Sequence, residues 1–167
     1  MPLDVTLVRF AGFCALAGAL LRAIAAWPDL PLLEPSIQKL YFGIDLLLTL
    51  GLIGVLADTP RLRTWLGALG FAGALAGIEL IRTGDQIGGP GGYSRGTSVL
   101  ALSLGLVGLV LLIREQGLAR LAGLAWIASL IAGLAGSFSG NSQGFLAASL
   151  LFCLGFALAG IRLIRTA

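Results

Sequence analysis

LGFAGALAGIELIRTGDQ, Leu69 to Gln86, is an apolar run that ends in a carboxylate, a guanidinium and a second carboxylate. Its last turns return at the C-terminus. Leu75 to Thr83 (LAGIELIRT) matches Leu158 to Thr166 (LAGIRLIRT) at eight of nine positions, and the one mismatch exchanges Glu79 for Arg162. A helical span of a bilayer needs roughly 20 predominantly apolar residues, and this run supplies most of them before its charges begin. The reading that follows is an all-α, polytopic transmembrane helix bundle organised around the two copies.

Composition extends that reading to the whole chain. Hydrophobic residues are 57% of the 167 positions and charged residues 11%, with a mean hydropathy of +0.99. Soluble domains carry about 25% charged residues, so the expected solvent is lipid. The length accommodates a single transmembrane domain over 1–167 and leaves no room for a separate soluble one. The net charge of +3 comes from basic residues scattered singly or in pairs. That scatter fits topology signals rather than a nucleic-acid surface, and no nucleic-acid partner is expected. Cys14 and Cys153 each fall within an apolar run, where a thiol behaves as a small hydrophobe, so no disulfide is expected. The chain has no histidine. Imidazole metal sites, Ser-His hydrolysis and His-dependent phosphatase chemistry are thereby excluded, and neither a metal nor a cofactor is expected.

Taken in order, the expected spans cover about 7–27, 37–57, 62–83, 97–113, 118–136 and 145–164. Trp27 stands where an interfacial aromatic belongs. A cleaved signal peptide is the rival reading of the first span, but Arg22 breaks its apolar core and Asp4 offsets Arg9, so the span is expected to be retained. The proline-rich segment PDLPLLEPS, 28–36, reads as a loop, with Ser36 as the N-cap of the second helix. Ser36 and Lys39 also have the spacing of a penicillin-binding nucleophile motif, but the partner motifs are absent. Asp58-Thr59-Pro60 predicts a cap and a proline at the first position of the third helix. GDQIGGPGGYSRG, Gly84 to Gly96, is too rich in glycine to be expected to remain helical, and SFSGNSQG, Ser137 to Gly144, reads as a polar turn.

Six spans place both termini on one side. That side would carry Arg9, Arg61, Arg63, Arg114, Arg120, Arg162 and Arg165, against Lys39, Arg82, Arg95 and Arg22 opposite. The positive-inside rule then predicts an inner-membrane protein with both termini cytoplasmic. The two LAGI copies lie 83 residues apart (158 − 75), and the same offset carries spans one and two close to spans four and five. Three helices per half would make the second half an inverted repeat of the first. The competing explanation is chance self-similarity in a Leu/Ala/Gly-rich chain, since identity outside spans three and six is unconvincing. Small residues, including Gly73 and Gly77, Gly51 and Gly54, Gly105 and Gly108, and Gly133 and Gly136, are expected to let helices approach closely.

Charges inside spans are costly and each needs an account. Gln38, Tyr41, Asp45 and Thr49 recur at helical spacing and give span two one polar stripe. Glu79 and Arg82 stand one turn apart on span three, and Arg22 closes span one. With Asp85 and Gln86 these residues are expected to converge at the outer surface, under the glycine-rich loop. Two readings compete: an outward-facing polar cavity with Asp45 as its deepest carboxylate, or compensating pairs, Arg22 with Asp45 and Glu79 with Arg82. The ligand or proton site candidates are therefore Asp45, Arg22, Glu79, Arg82, Tyr41 and Thr49, and no catalytic residue is expected. Two G-x-S-x-G strings, Gly92–Gly96 and Gly140–Gly144, lack a strand before them and a base beside them and are expected to be polar loops. Trp126, Ser129, Gly133 and Ser137 form a stripe expected to face the bundle interior.

The leading reading is a small, non-enzymatic membrane protein that binds or transports a small solute through the cavity near Asp45. The alternative is an accessory or scaffold subunit of a larger membrane complex, pressing a small-residue face such as Gly70, Gly73 and Gly77 against a partner. A membrane enzyme acting on lipid comes third, weakened by the missing histidine.

Overall fold

The computed structural model describes residues 4–26, 34–84 and 91–166, the side chains of 34–38 excepted. The described chain is all-helical. Its elements are α1 (Val5–Ala25), α2 (Glu34–Asp58), a single 3-10 turn (Pro60–Leu62), α3 (Trp65–Thr83), α4 (Gly92–Arg114), α5 (Gly117–Ser139) and α6 (Ser142–Thr166). Each of the six helices contains a stretch of at least 18 residues apolar enough to cross a bilayer. Trp27, Asp85 and Gln86, and the side chain of Gln38, lie outside the described residues.

Several expected boundaries move, each for a local reason. Ser36 is not the N-cap of α2, because the helix already begins at Glu34. Pro35 is tolerated there since the first helical turn has no use for its missing N–H. Pro60 opens the 3-10 turn rather than α3, and α3 is capped by Thr64, whose Oγ1 accepts from Gly67 N at 3.2 Å. The glycine-rich segment is helical from Gly92 onward, with Gly91 as a left-handed N-cap at φ 84°. The reason is tertiary: at Gly96 a Cβ would come within 2.6 Å of Ile81 N, so α4 can continue only because glycine lets it lie on α3. The two G-x-S-x-G strings are therefore not loops throughout. Gly92–Gly96 is the first turn of α4, and Ser142 starts α6 two residues after the left-handed Gly140.

Helices consecutive in the chain pack side by side, and α6 closes back onto α1 and reaches α2. The exception is the α2–α3 pair, which makes the least extensive contact of any consecutive pair. Elsewhere the interfaces are built on small residues. Gly108 and Gly123 face each other between α4 and α5, as do Gly136 and Gly144 between α5 and α6, and Ala11 and Ala15 of α1 fill the space left by Gly54 and Gly51 of α2. Lipid tails are as apolar as leucine, so helices associate through close packing rather than hydrophobic expulsion, and small residues permit it. A second set of large apolar side chains points outward. Leu7, Phe10, Phe13, Ile113, Ile131 and Phe138 are all more than half exposed on the outside of the bundle.

The two copies of the LAGI segment make matching contacts. In α3, a Cβ on Gly77 would meet Leu100 N at 2.6 Å, and a Cβ on Gly96 of α4 would meet Gly77 O at 3.0 Å. In α6, a Cβ on Gly160 would meet Leu16 N at 3.1 Å, and a Cβ on Gly12 of α1 would meet Gly160 O at 2.8 Å. Gly12 and Leu16 stand in α1 as Gly96 and Leu100 stand in α4, 84 residues on (96 − 12 and 100 − 16). Ile81 and Ile164, one turn beyond the two central glycines, touch the same two partner glycines, Gly96 and Gly12. The correspondence stops at α2 and α5, because α5 packs broadly on α6 whereas α2 barely meets α3.

Trp126 and Phe156 anchor the core between α5 and α6 with ring centroids 5.2 Å apart in an edge-to-face arrangement, and neither is more than 1% exposed. Ser129, beside Trp126, donates to Ala148 O at 2.7 Å. The expected inward stripe ends there, since Gly133 is half-buried and Ser137 exposed. Gly155 leaves room for the indole, whose Nε1 makes no hydrogen bond among the described residues. Truncation and conservative replacement should therefore diverge. Trp126→Ala is expected to destabilise the protein by about 3 kcal/mol through the cavity it leaves. Trp126→Phe, which removes an unsatisfied N–H together with some volume, should cost less than about 1 kcal/mol. Unfolding titrations in mixed micelles would check both.

Candidate functional site

Four of the charged candidates meet at the end of the bundle opposite the termini. Arg22 lies in the last turn of α1 and Arg82 in the last turn of α3, while Asp45 stands on α2 between them in electrostatic reach of both and of Glu79. Among the described side chains, the apolar span of α2 is Lys39–Asp58. Asp45 follows Lys39 by six residues, about 9 Å along the axis, and its side chain is too short to extend to the headgroups as lysine or arginine would.

Aromatic rings on α2 hold both arginines. The Arg22 guanidinium lies 5.1 Å from the centroid of Tyr41, and the Arg82 guanidinium 4.4 Å from that of Phe42. Tyr41 is itself fixed by its hydroxyl, which donates to Ala25 O at 3.3 Å. Such cation–π contacts contribute about 0.5–1 kcal/mol when exposed and more when desolvated. They also direct the two guanidinium groups to rings at positions 41 and 42, one turn before Asp45.

Of the two compensating pairs expected, one forms. Arg82 Nη1 stands 3.4 Å from Glu79 Oε1, and both side chains are about half exposed. At that exposure the pair is worth less than about 1 kcal/mol. Arg22 and Asp45 do not form a contact pair: among the described residues the Asp45 carboxylate has neither a hydrogen bond nor an ion-pair partner. Its oxygens are not sealed in, since the indole nitrogen of Trp126 is the one fully buried side-chain polar atom without a partner among the described residues. Thr49 is less available than its place on the stripe suggests, because its hydroxyl donates to Asp45 O at 2.8 Å, along its own helix.

The opposite end of the bundle is cross-linked by residues that the sequence presents only as caps and topology signals. Arg162 Nη1 donates to Thr59 Oγ1 at 2.7 Å, and its Nη2 lies 3.3 Å from Asp58 Oδ2. Thr59 is fully buried. Arg61, on the same connection, donates to Arg114 O and stands 3.7 Å from Glu115 Oε1 in the α4–α5 connection. The short link between α2 and α3 is thus strapped on one side to α6 and on the other to α4–α5. The one signal for this is the Glu79/Arg162 mismatch in the repeated segment, which places opposite charges at the two ends of the molecule.

The arrangement gathers charged and aromatic side chains at one end and ties the other with interhelical ion pairs and hydrogen bonds. No family model matches the chain, and neither does any curated protein or solved structure.

Proposed function

We propose that this is a small, non-enzymatic integral membrane protein that binds or moves a small polar solute through a cavity opening on the face opposite its termini, with Asp45 as the ligand group. The observation that carries the reading is the Asp45 carboxylate, within a span, half-buried and without a direct partner among the described residues. A carboxylate in a membrane segment is expensive, and one kept there without a contact pair points to a partner that arrives from outside the chain. Two guanidinium groups and two carboxylates gathered at one end of the bundle, Arg22, Arg82, Asp45 and Glu79, suit a solute carrying both charges or one small ion.

Two further observations support the reading. Interhelical ion pairs lie at the terminal end, and among the described residues none joins helices at the Asp45 end, which fits access from that side. The matching contacts of Gly77 and Gly160 support two inverted halves, the architecture in which transporters place sites near the repeat interface. The excess of arginine on the terminal side supports an orientation with both termini cytoplasmic, as expected of an inner-membrane protein. The accessory-subunit reading loses its proposed docking face, because Gly70, Gly73 and Gly77 are covered by Ser103, Val107 and Leu100 of α4.

Asp45→Cys, made with Cys14→Ala and Cys153→Ala, tests the cavity directly. A small, membrane-impermeant thiol reagent should label position 45 in oriented vesicles from the face opposite the termini. Absence of labelling from that face, in protein that still folds, would overturn the reading.

A further inference from the structure

The loose seam between α2 and α3 contains a groove of about 600 Å³ at its terminal end. Its walls are Ile53 and Leu56 on the last turns of α2, and Ala68 and Phe71 on the first turns of α3. Its mouth carries Arg63, Thr64 and Trp65. From Trp65 to Phe71 the helix rises roughly 9 Å, so the groove begins at headgroup level and runs into the adjoining hydrocarbon. Ile53, Leu56, Ala68 and Phe71 make its walls apolar over that length, which suits an acyl chain.

The mouth is chemically distinct from the rest of this face. Arg61 has Glu115 and Arg162 has Asp58, but Arg63 has no carboxylate within ion-pair distance among the described residues. The only hydrogen bond of its side chain there is a long one, 3.4 Å, to Ala57 O, and the side chain is exposed. Thr64 uses an oxygen lone pair to cap α3, which leaves its hydroxyl proton free to donate. Trp65, 78% exposed, stands at the first position of α3 where interfacial tryptophans anchor at the headgroups.

The geometry points to a site for one anionic phospholipid of the leaflet on the terminal side, its acyl chain between α2 and α3 and its phosphate on Arg63 and Thr64. Basic pockets between helices at this depth complement anionic headgroups, and an apolar wall immersed in hydrocarbon is complementary to a lipid tail. The lipid would fill the one consecutive interface that the chain leaves underpacked. This site is separate from the one around Asp45, at the other end of the same seam, and does not depend on it.

Native mass spectrometry of the full-length protein, delipidated and then titrated with phosphatidylglycerol or phosphatidylcholine, tests the assignment. One phosphatidylglycerol should bind per chain in preference to phosphatidylcholine. Arg63→Gln should weaken phosphatidylglycerol roughly five- to tenfold and erase most of that preference, as loss of one interfacial cation implies. Arg120→Gln, an exposed cation of the same face outside the groove, should change neither. Ala68→Trp, at an exposed groove position, should block the tail and lose binding while the thermal unfolding midpoint is retained. Inorganic phosphate should not compete, because the tail supplies much of the binding. Equal binding of both lipids unaffected by Arg63→Gln, unchanged binding in Ala68→Trp, or displacement by phosphate alone would each overturn the proposal; so would a dimer whose contact buries the seam.

Discussion

Gly160→Leu is expected to abolish recovery of folded protein, and Gly77→Leu to do the same. A Cβ alone at Gly160 would stand 2.7 Å from Gly12 O and 3.1 Å from Leu16 N, and at Gly77 it would stand 2.6 Å from Leu100 N. These obstacles are backbone atoms of a neighbouring helix, so no side-chain rotation relieves them and the helices must separate. Overpacking of a core typically costs about 1–3 kcal/mol, and separation of two helices along their contact should exceed that, against a total stability of roughly 5–15 kcal/mol. The alanine substitutions separate steric cost from helix propensity. Alanine is favoured over glycine within a helix by about 1 kcal/mol. At Gly43 nothing lies within 4 Å of an added Cβ, so Gly43→Ala should stabilise, whereas Gly160→Ala and Gly77→Ala should destabilise. Size-exclusion profiles and unfolding titrations in detergent would read all of these. Equivalent halves also require the Gly77 and Gly160 substitutions to cost similar amounts. A large difference between them would count against the inverted repeat while leaving the fold intact.

The same contacts explain what was legible in the sequence. Six helices could be read because lipid demands long apolar runs with internally satisfied backbones, and that demand is written into every span. The LAGI echo could be read because both copies keep the glycine that a neighbouring helix needs. The start of α4 could not, since Gly92 to Gly96 has poor intrinsic helicity and becomes helical by lying against Gly77 and Ile81, a relation between distant residues. The start of α2 is ambiguous in the sequence for a different reason: Ser36 has a good cap's chemistry, but Pro35 before it is equally suited to a first turn. At the candidate site, spacing along one helix identified Tyr41, Asp45 and Thr49, yet it could not show that Thr49 donates to its own backbone or that aromatic rings hold Arg22 and Arg82. The tie from Arg162 to Thr59 spans 103 residues, that to Asp58 one more, and neither leaves a local pattern beyond one mismatched position.

Asp45→Asn is expected to reduce solute uptake by reconstituted protein roughly 10- to 100-fold, the loss that follows from removing one charge-assisted hydrogen bond of about 1.5–3 kcal/mol. The assay is uptake of small labelled cations, anions and zwitterions into proteoliposomes under an imposed proton or sodium gradient. Stability should move the other way or not at all. If Asp45 were there to hold Arg22 and Arg82, asparagine would leave two cations uncompensated at that end of the bundle, and the protein would weaken. Both guanidinium groups instead have other contacts, on Tyr41 and on Phe42 with Glu79, and neither forms a contact pair with Asp45. Neutralising a charge within a span then removes a cost without removing a bond, so the unfolding free energy of Asp45→Asn should equal or exceed that of the unsubstituted protein by up to about 1 kcal/mol. The two readouts separate the competing roles. Lower uptake with retained stability identifies a ligand group, whereas unchanged uptake with a loss of more than about 1 kcal/mol identifies a structural charge and removes the basis for the cavity.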